Sequence, residues 1–489
     1  MTKTTLALGI LIVALSGSIE AEAQIRCGTP QALERFRVRA LPMPRPSSTK
    51  TLDSDKYPLR FHYPADAAIS EQQGAMIMFF MEQAWHYSVD VLGYDAPPGD
   101  GTAGGDERID FYVEDLSYMS AGGVTVPETV SYERSDRYAL SGYVSLDASA
   151  GLNCETVSHE FHHVIQMGYD GAEDPAFFEN TSSYIQGLVC SGVPYVGWVL
   201  DTFQQSPGLA IDYFTPGDAY QYGAYLWLQF LSEAYWDGDP LPVRLLWEGT
   251  KQVSSNNEPD YLDAADAILK ADRGTDLWGM LSRFSEWRLV AGRYDDGRHF
   301  SNGAAWDSGA TVAIQDTHNA NGRINDAEGL PVAETGTSYI MLDNVLSRDA
   351  LVDFSFDGDP SASWHVQAIR LAEGKGRAQV VESGIEGASG AFTFPISGDD
   401  ASAVIAITNL GDFSHDPDLD EWTQAPFKYS YEVRDPPDTD TGTPSAEDAG
   451  ADAGNGGDGS GCGCRAAGLS RGRSLLDLAM SVALAELGM

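Results

Sequence analysis

Three histidines and a glutamate fall within five positions at His159-Glu160-Phe161-His162-His163, in a chain of 489 residues that has 9 histidines. On a helix, residues four apart differ by about 40° in direction, so His159 and His163 share a face. Two imidazoles so placed can hold one metal ion, and Glu160, next to the first, can reach a water on that ion. The H-E-x-x-H spacing thus offers two ligands and a general base within one turn and a half. Val157, Phe161, Val164 and Ile165 are apolar, so the helix can sit in a core while presenting its ligands to a cleft. His162 lies off the ligand face and is expected to be exposed or locally bonded.

A catalytic zinc ion needs a third protein ligand and one open position. The stretch "EDPAFFENTSSYIQGLVC" lies just downstream. Glu179 begins its helical part, and a carboxylate from such a second, packed helix would complete a His-His-Glu set. Glu173 and Asp174 are rivals, in an acidic, loop-like run expected to face solvent.

The paired motifs "HEFHHVIQMGYDG" and "FFENTSSYIQ" resemble the gluzincin class of zinc metallopeptidases. The region 58–236 looks closest to secreted metalloproteases of myxobacteria. The resemblance implies a zincin-like domain that binds Zn2+ through His159, His163 and Glu179, with Glu160 as the general base of peptide hydrolysis. Asn180-Thr181-Ser182 departs from the small residues usual after the ligand glutamate, although small polar side chains still let two helices approach. "DAYQYGAYLW" resembles a Tyr-x-x-Gly-Ala-like helix of some gluzincins. Tyr220, Tyr222 or Tyr225 could then donate to the oxyanion, with Tyr222 carried forward, or all three are core aromatics. The resemblance further implies that "SGYVSLDAS" is the edge strand beside the cleft, pairing with the backbone of a peptide substrate.

These residues need elements to position them. "YPLRFHYP", "RIDFYVEDL" and "YALSGYVSLDAS" alternate as strands, and 71–93 has a helical pattern. Helices are predicted over 152–168, 175–190 and 218–236, and near 241–252, 259–271 and 276–290. Strands followed by helices make an α+β layout. Beyond about residue 305, "TSYIMLDNV", "ALVDFSFDGD", "SWHVQAIRLA", "AQVVESG", "GAFTFPIS", "SAVIAITNL" and "FKYSYEVR" are short strands between Gly, Asp and Ser turns. They predict a C-terminal all-β sandwich without a catalytic constellation.

The resulting organisation is a signal peptide at 1–23, a lead-in at 24–55 with little regular structure, and a catalytic domain at 56–300. A β-sandwich at 301–435, an acidic Gly-rich linker at 436–461 and a tail at 462–489 follow. The first segment carries Lys3, an apolar run and the Ala21-Glu22-Ala23 cleavage pattern, which predicts export. Export permits disulfides. Cys27, Cys154 and Cys190 allow three pairings. Cys154–Cys190 is favoured, because it would tie the two ligand-bearing helices together; Cys27 joining one of them, or blocking the zinc as a thiol, ranks below it. "GSGCGCRAAG" resembles a myxobacterial C-terminal sorting signal, but the apolar stretch after it holds Asp477 and Glu486 and is too short to span a bilayer. "DGDP" and "DPDLDEW" are read as solvated acidic turns, since neither follows a full EF-hand loop.

With 72 Asp+Glu against 30 Lys+Arg, the formal charge is -42, which repels nucleic acid and anionic membranes. The leading expectation is therefore a secreted or surface-held zinc endopeptidase acting on peptides or proteins, handled at its C-terminus by cell-surface sorting machinery. The rival classes are an inactive metal-bound protein whose sandwich binds a surface partner or carbohydrate, and a zinc aminopeptidase. No G-A-M-E-N-like stretch precedes His159, which ranks the aminopeptidase lower.

Overall fold

The computed structural model describes residues 26–437, except 40–42, 66–68, 132, 193–197, 307, 345, 373–377 and 412–423. The expected signal peptide, most of the linker, the Cys462/Cys464 tail and the "DPDLDEW" turn lie outside the described residues. Met1–Asp435 forms one unit and Pro436–Met489 another. The described chain is a mixture of helices and several β-sheets.

The first half opens with helix α1 (Thr29–Arg39), followed by strands β1 (Lys50–Asp53) and β2 (Leu59–Tyr63). Residues 24–55 were expected to have little regular structure, and α1 and β1 correct that. Apolar Leu33 and Phe36 bury one side of α1, and β1 pairs antiparallel with β2. Arg45, between them, pairs with Asp100, Asp110 and Glu128 and lies over the rings of Tyr112 and Tyr143, so the lead-in is anchored to the sheet. Helix α2 (Glu71–Trp85) starts at a Ser70/Gln73 capping box. It leads to β3 (Ile109–Glu114), β4 (Gly123–Val130) and β5 (Leu140–Asp147).

The sheet order is β1-β2-β3-β5-β4, with β2, β3 and β5 parallel and β4 antiparallel to β5. This order corrects the expected edge strand. Every residue of β5, the "SGYVSLD" strand, is buried between two neighbours, and the edge is β4. An alternating pattern is read from side chains, but an edge is decided by which backbones remain unpaired.

Helices α3 (Cys154–Met167), α4 (Pro175–Ser191), α5 (Trp198–Gln205), α6 (Tyr220–Gly223), α7 (Tyr225–Trp236), α8 (Leu241–Gly249), α9 (Tyr261–Asp272) and α10 (Leu277–Leu289) follow. The expected 218–236 helix is interrupted at Ala224. Their core is aromatic: Phe177 of α4 stacks on Trp247 at 4.7 Å and Tyr261 at 4.4 Å between ring centroids.

The second half consists of β6 (Asp316–Asn319), β7 (Arg323–Glu328), β8 (Val332–Ala333), β9 (Thr337–Asp343), β10 (Ala350–Gly358), β11 (Trp364–Ala372), β12 (Ala378–Glu386), β13 (Ser389–Ile396), β14 (Asp400–Asn409), β15 (Gln424–Ala425) and β16 (Phe427–Arg434). One sheet runs β13-β10-β16-β7 and another β12-β11-β14-β9-β6. Phe354, Phe394 and Tyr429 of the first share a core with Ile340, Trp364 and Ile405 of the second. All seven strands read from the sequence in this region form. No helix among the described residues is long and apolar enough to cross a membrane.

Candidate metal centre

Helix α3 begins at Asn153, whose side chain accepts from the Thr156 amide at 2.8 Å. Helix α4 begins at Asp174, which accepts from the amides of Ala176 and Phe177, with Pro175 in the first turn. The side chain of Asp174 is therefore committed to a cap. Both Glu173 and Asp174 are buried rather than solvent-facing, and neither belongs to the ligand cluster. Burial and the neighbouring Asp170 and Asp260 push the Glu173 carboxyl well above its ordinary range.

A Cys154–Cys190 disulfide joins the two helices, as favoured from the sequence, with 5.9 Å between Cα atoms. Losing a cross-link across a separation of 36 residues is expected to destabilise the fold by about 3–4 kcal/mol on loop entropy. Chemical denaturation with and without reductant measures this, and metal retention should weaken in parallel as α3 and α4 loosen.

The side chains of His159, His163 and Glu179 converge. His159 Nε2 lies 3.0 Å from Glu179 Oε2, and His163 Nε2 lies 3.7 Å from Glu179 Oε1. Each imidazole is oriented by a glutamine: His159 Nδ1 meets Gln186 Oε1 at 2.8 Å, and His163 Nδ1 meets Gln166 Oε1 at 2.6 Å. Gln166 donates its own Nε2 to the Phe178 carbonyl, which fixes its oxygen toward His163. An amide oxygen only accepts, so the Nδ1 atoms carry the hydrogens and both Nε2 lone pairs face the carboxylate.

Lone pairs directed at a carboxylate repel unless a cation lies among them. Glu179 Oε1 is buried without a hydrogen-bond partner, which fits a carboxylate oxygen that binds a cation. Burial holds His163 well below its ordinary value, keeping it neutral as a ligand must be. Burial lowers His159 too, but Glu179 outweighs it and leaves that group raised. A fourth atom completes the cluster, Cys27 Sγ, 3.2 Å from His163 Nε2. One donor atom from each of Cys27, His159, His163 and Glu179 lies within 4.8 Å of the others, and all four residues are buried. Two nitrogens, a carboxylate and a sulfur fit a divalent cation.

Glu160 borders the same site. Its Oε2 accepts from the hydroxyls of Thr125 at 2.8 Å and Thr29 at 3.0 Å. Burial raises its pKa above the ordinary range. A cleft of about 340 Å³ meets His159, Glu160, Gln186, Tyr222 and Tyr225. Among the three tyrosines raised by the sequence, Tyr222 points at the cluster: its ring centroid is 6.0 Å from that of His159, and its hydroxyl accepts from the Cys27 amide at 2.9 Å. Tyr225 lines the cleft, whereas Tyr220 turns away to donate to the Leu209 carbonyl. Gly223 makes this placement possible, since a Cβ there would lie 2.0 Å from the Val199 carbonyl of α5.

His162 is fully buried against Tyr94 rather than exposed or locally bonded, and neither ring nitrogen has a hydrogen-bond partner. Helix α3 is buried on every side from Thr156 to Met167. Its solvent-free surroundings push His162 down to about 3. Two features escape the sequence reading, Thr29 and Thr125 on Glu160, whose separations of 131 and 35 residues leave no local signal. The sulfur of Cys27 lies in the cluster, where the lower-ranked reading of that residue, a thiol at the metal, would put it.

No protein-family model matches the sequence, and no curated protein does. Among solved structures, the chain is similar to Legionella pneumophila aminopeptidase A at 11% identity and a TM-score of 0.33, covering 72% of this chain and 36% of that one. It is also similar to the pre-peptidase C-terminal domain of a Bacillus anthracis collagenase, at 8% identity and a TM-score of 0.18, over 25% of this chain and 99% of that one. At such scores neither shows a shared fold or activity.

Proposed function

We propose that this chain is a zinc-dependent endopeptidase of the gluzincin type, exported and acting on peptides or proteins, with a zincin-like first half and a β-sandwich second half. The observation that carries the reading is the meeting of two oriented imidazoles and the Glu179 carboxylate, with His159 and the neighbouring Glu160 opening onto one cleft. His159, His163 and Glu179 would hold the ion. When bound, zinc supplies Lewis acidity toward a carbonyl oxygen and lowers the pKa of water toward neutrality.

The remaining chemistry belongs to the chain. Glu160 takes a proton from the attacking water on its carboxylate and returns it to the departing amine, so that protons balance across the reaction. Tyr222 donates its hydroxyl hydrogen to the developing oxyanion. Buried walls exclude bulk water, and β4, the outer strand on this side of the sheet, would pair with an extended peptide where residues 26–29 now bond to it at Gly123 and Thr125.

Elemental analysis of the full chain tests the reading. About one zinc per chain is expected, with markedly less in Glu179→Ala. A parent that cannot be loaded removes the proposal.

A further inference from the structure

Residues 26–29 touch three of the groups that the proposed reaction uses, His163, Glu160 and Tyr222. Cys27 Sγ lies 3.2 Å from His163 Nε2 and belongs to the four-ligand cluster. The Cys27 amide donates to the Tyr222 hydroxyl at 2.9 Å. The Thr29 hydroxyl donates to Glu160 Oε2 at 3.0 Å, and accepts from the Thr125 amide at 2.8 Å. The segment is held by main-chain bonds to β4 and the turn before it, Gly28 N to Gly123 O and Gly122 N to Arg26 O, both 2.9 Å. Arg26 reaches across to the Gly217 carbonyl at 2.9 Å. Cavities of about 340 and 180 Å³ lie on either side, and Arg26 and Tyr222 line both.

A catalytic metal needs a position left open by the protein. Here a thiol occupies the cluster, a hydroxyl covers the base and an amide engages the oxyanion donor. A cysteine serving only to strengthen metal binding would not require the other two contacts. Glu179 Oε1, buried without a partner, independently points to an ion at this place. We infer that Arg26–Thr29 is a built-in inhibitory clasp, in which Cys27 ligates the metal and the chain is latent until the segment is displaced. The inference rests on the zinc peptidase reading. On ligation the thiol proton passes to solvent, and no redox step is involved.

Cobalt(II) loaded into the full chain tests it. A thiolate-to-cobalt charge-transfer band is expected in the wild type and should vanish in Cys27→Ala with cobalt stoichiometry retained. Where nine molecules in ten are closed, opening them raises kcat/KM on a mixed peptide library by about tenfold. Without any variant, mass-mapped alkylation of Cys27 should be slow in the loaded chain and accelerate after chelation. Cobalt bound with no band, or with Cys27 alkylated equally fast before and after chelation, overturns the clasp and leaves the peptidase reading intact. Loss of cobalt from Cys27→Ala, or no gain in hydrolysis, overturns it as well, by making Cys27 a permanent ligand. A chain that binds no cobalt sinks both readings.

Discussion

Glu160→Gln, introduced into a chain that also carries Cys27→Ala, is expected to lower peptide hydrolysis by roughly 10²–10⁴-fold while leaving the bound metal in place. The amide has nearly the shape of the carboxylate, and its oxygen still accepts from the Thr125 hydroxyl. It cannot take the proton of water. Glu160 is outside the candidate ligand set, whose donor atoms come from Cys27, His159, His163 and Glu179. Metal content and turnover should therefore separate cleanly. Elemental analysis beside steady-state kinetics reads both, and hydrolysis surviving at the parental rate removes Glu160 from the role of base.

That separation depends on geometry which the sequence discloses unevenly. His159 and His163 are four apart on one helix, so their shared face follows from helical periodicity alone. Glu179 requires a packed second helix, which its flanking apolar residues and the Cys154–Cys190 pair suggest. Seven strands of the second half are legible because each is a run of β-formers between turn residues. Tyr222 is distinguishable from Tyr220 only when α6 is placed against α5 by Gly223.

What the sequence conceals is long-range. The buried position of His162 depends on α3 being enclosed on all sides, which the polar residues of that helix disguise. The edge of the sheet depends on β4 folding back outside β5, and "GVTVPETV" contains a proline that weakens it as a strand signal. Edge strands tolerate proline, so the same residue agrees with the position observed. Thr29 lies more than a hundred residues from Glu160, and no periodicity connects it to the site. Cys27, also more than a hundred residues from His163, is reached from the sequence only as the lower-ranked thiol on the metal.

The second large effect arises where that edge meets the base. A Cβ built on Gly123 would lie 2.6 Å from both Glu160 Cγ and Oε1. Glu160 cannot easily yield, because its other oxygen is held by the Thr125 hydroxyl. Gly123→Ala is therefore expected to shift the carboxylate by several tenths of an ångström or more, and a misplacement near 1 Å costs about 10²-fold in rate. In the Cys27→Ala background the loss should appear in kcat, with metal content unchanged, because Gly123 is not among the ligands. Gly74→Ala is the matching control: it lies inside α2 with only Leu52 Cδ2 at 4.0 Å from the added Cβ. Helix propensity there favours alanine by up to about 1 kcal/mol. Equal losses in both variants would mean that the effect at Gly123 is general destabilisation. A loss confined to Gly123 would tie the rate to the position of the Glu160 carboxylate, since the atoms nearest the new methyl group all belong to that side chain.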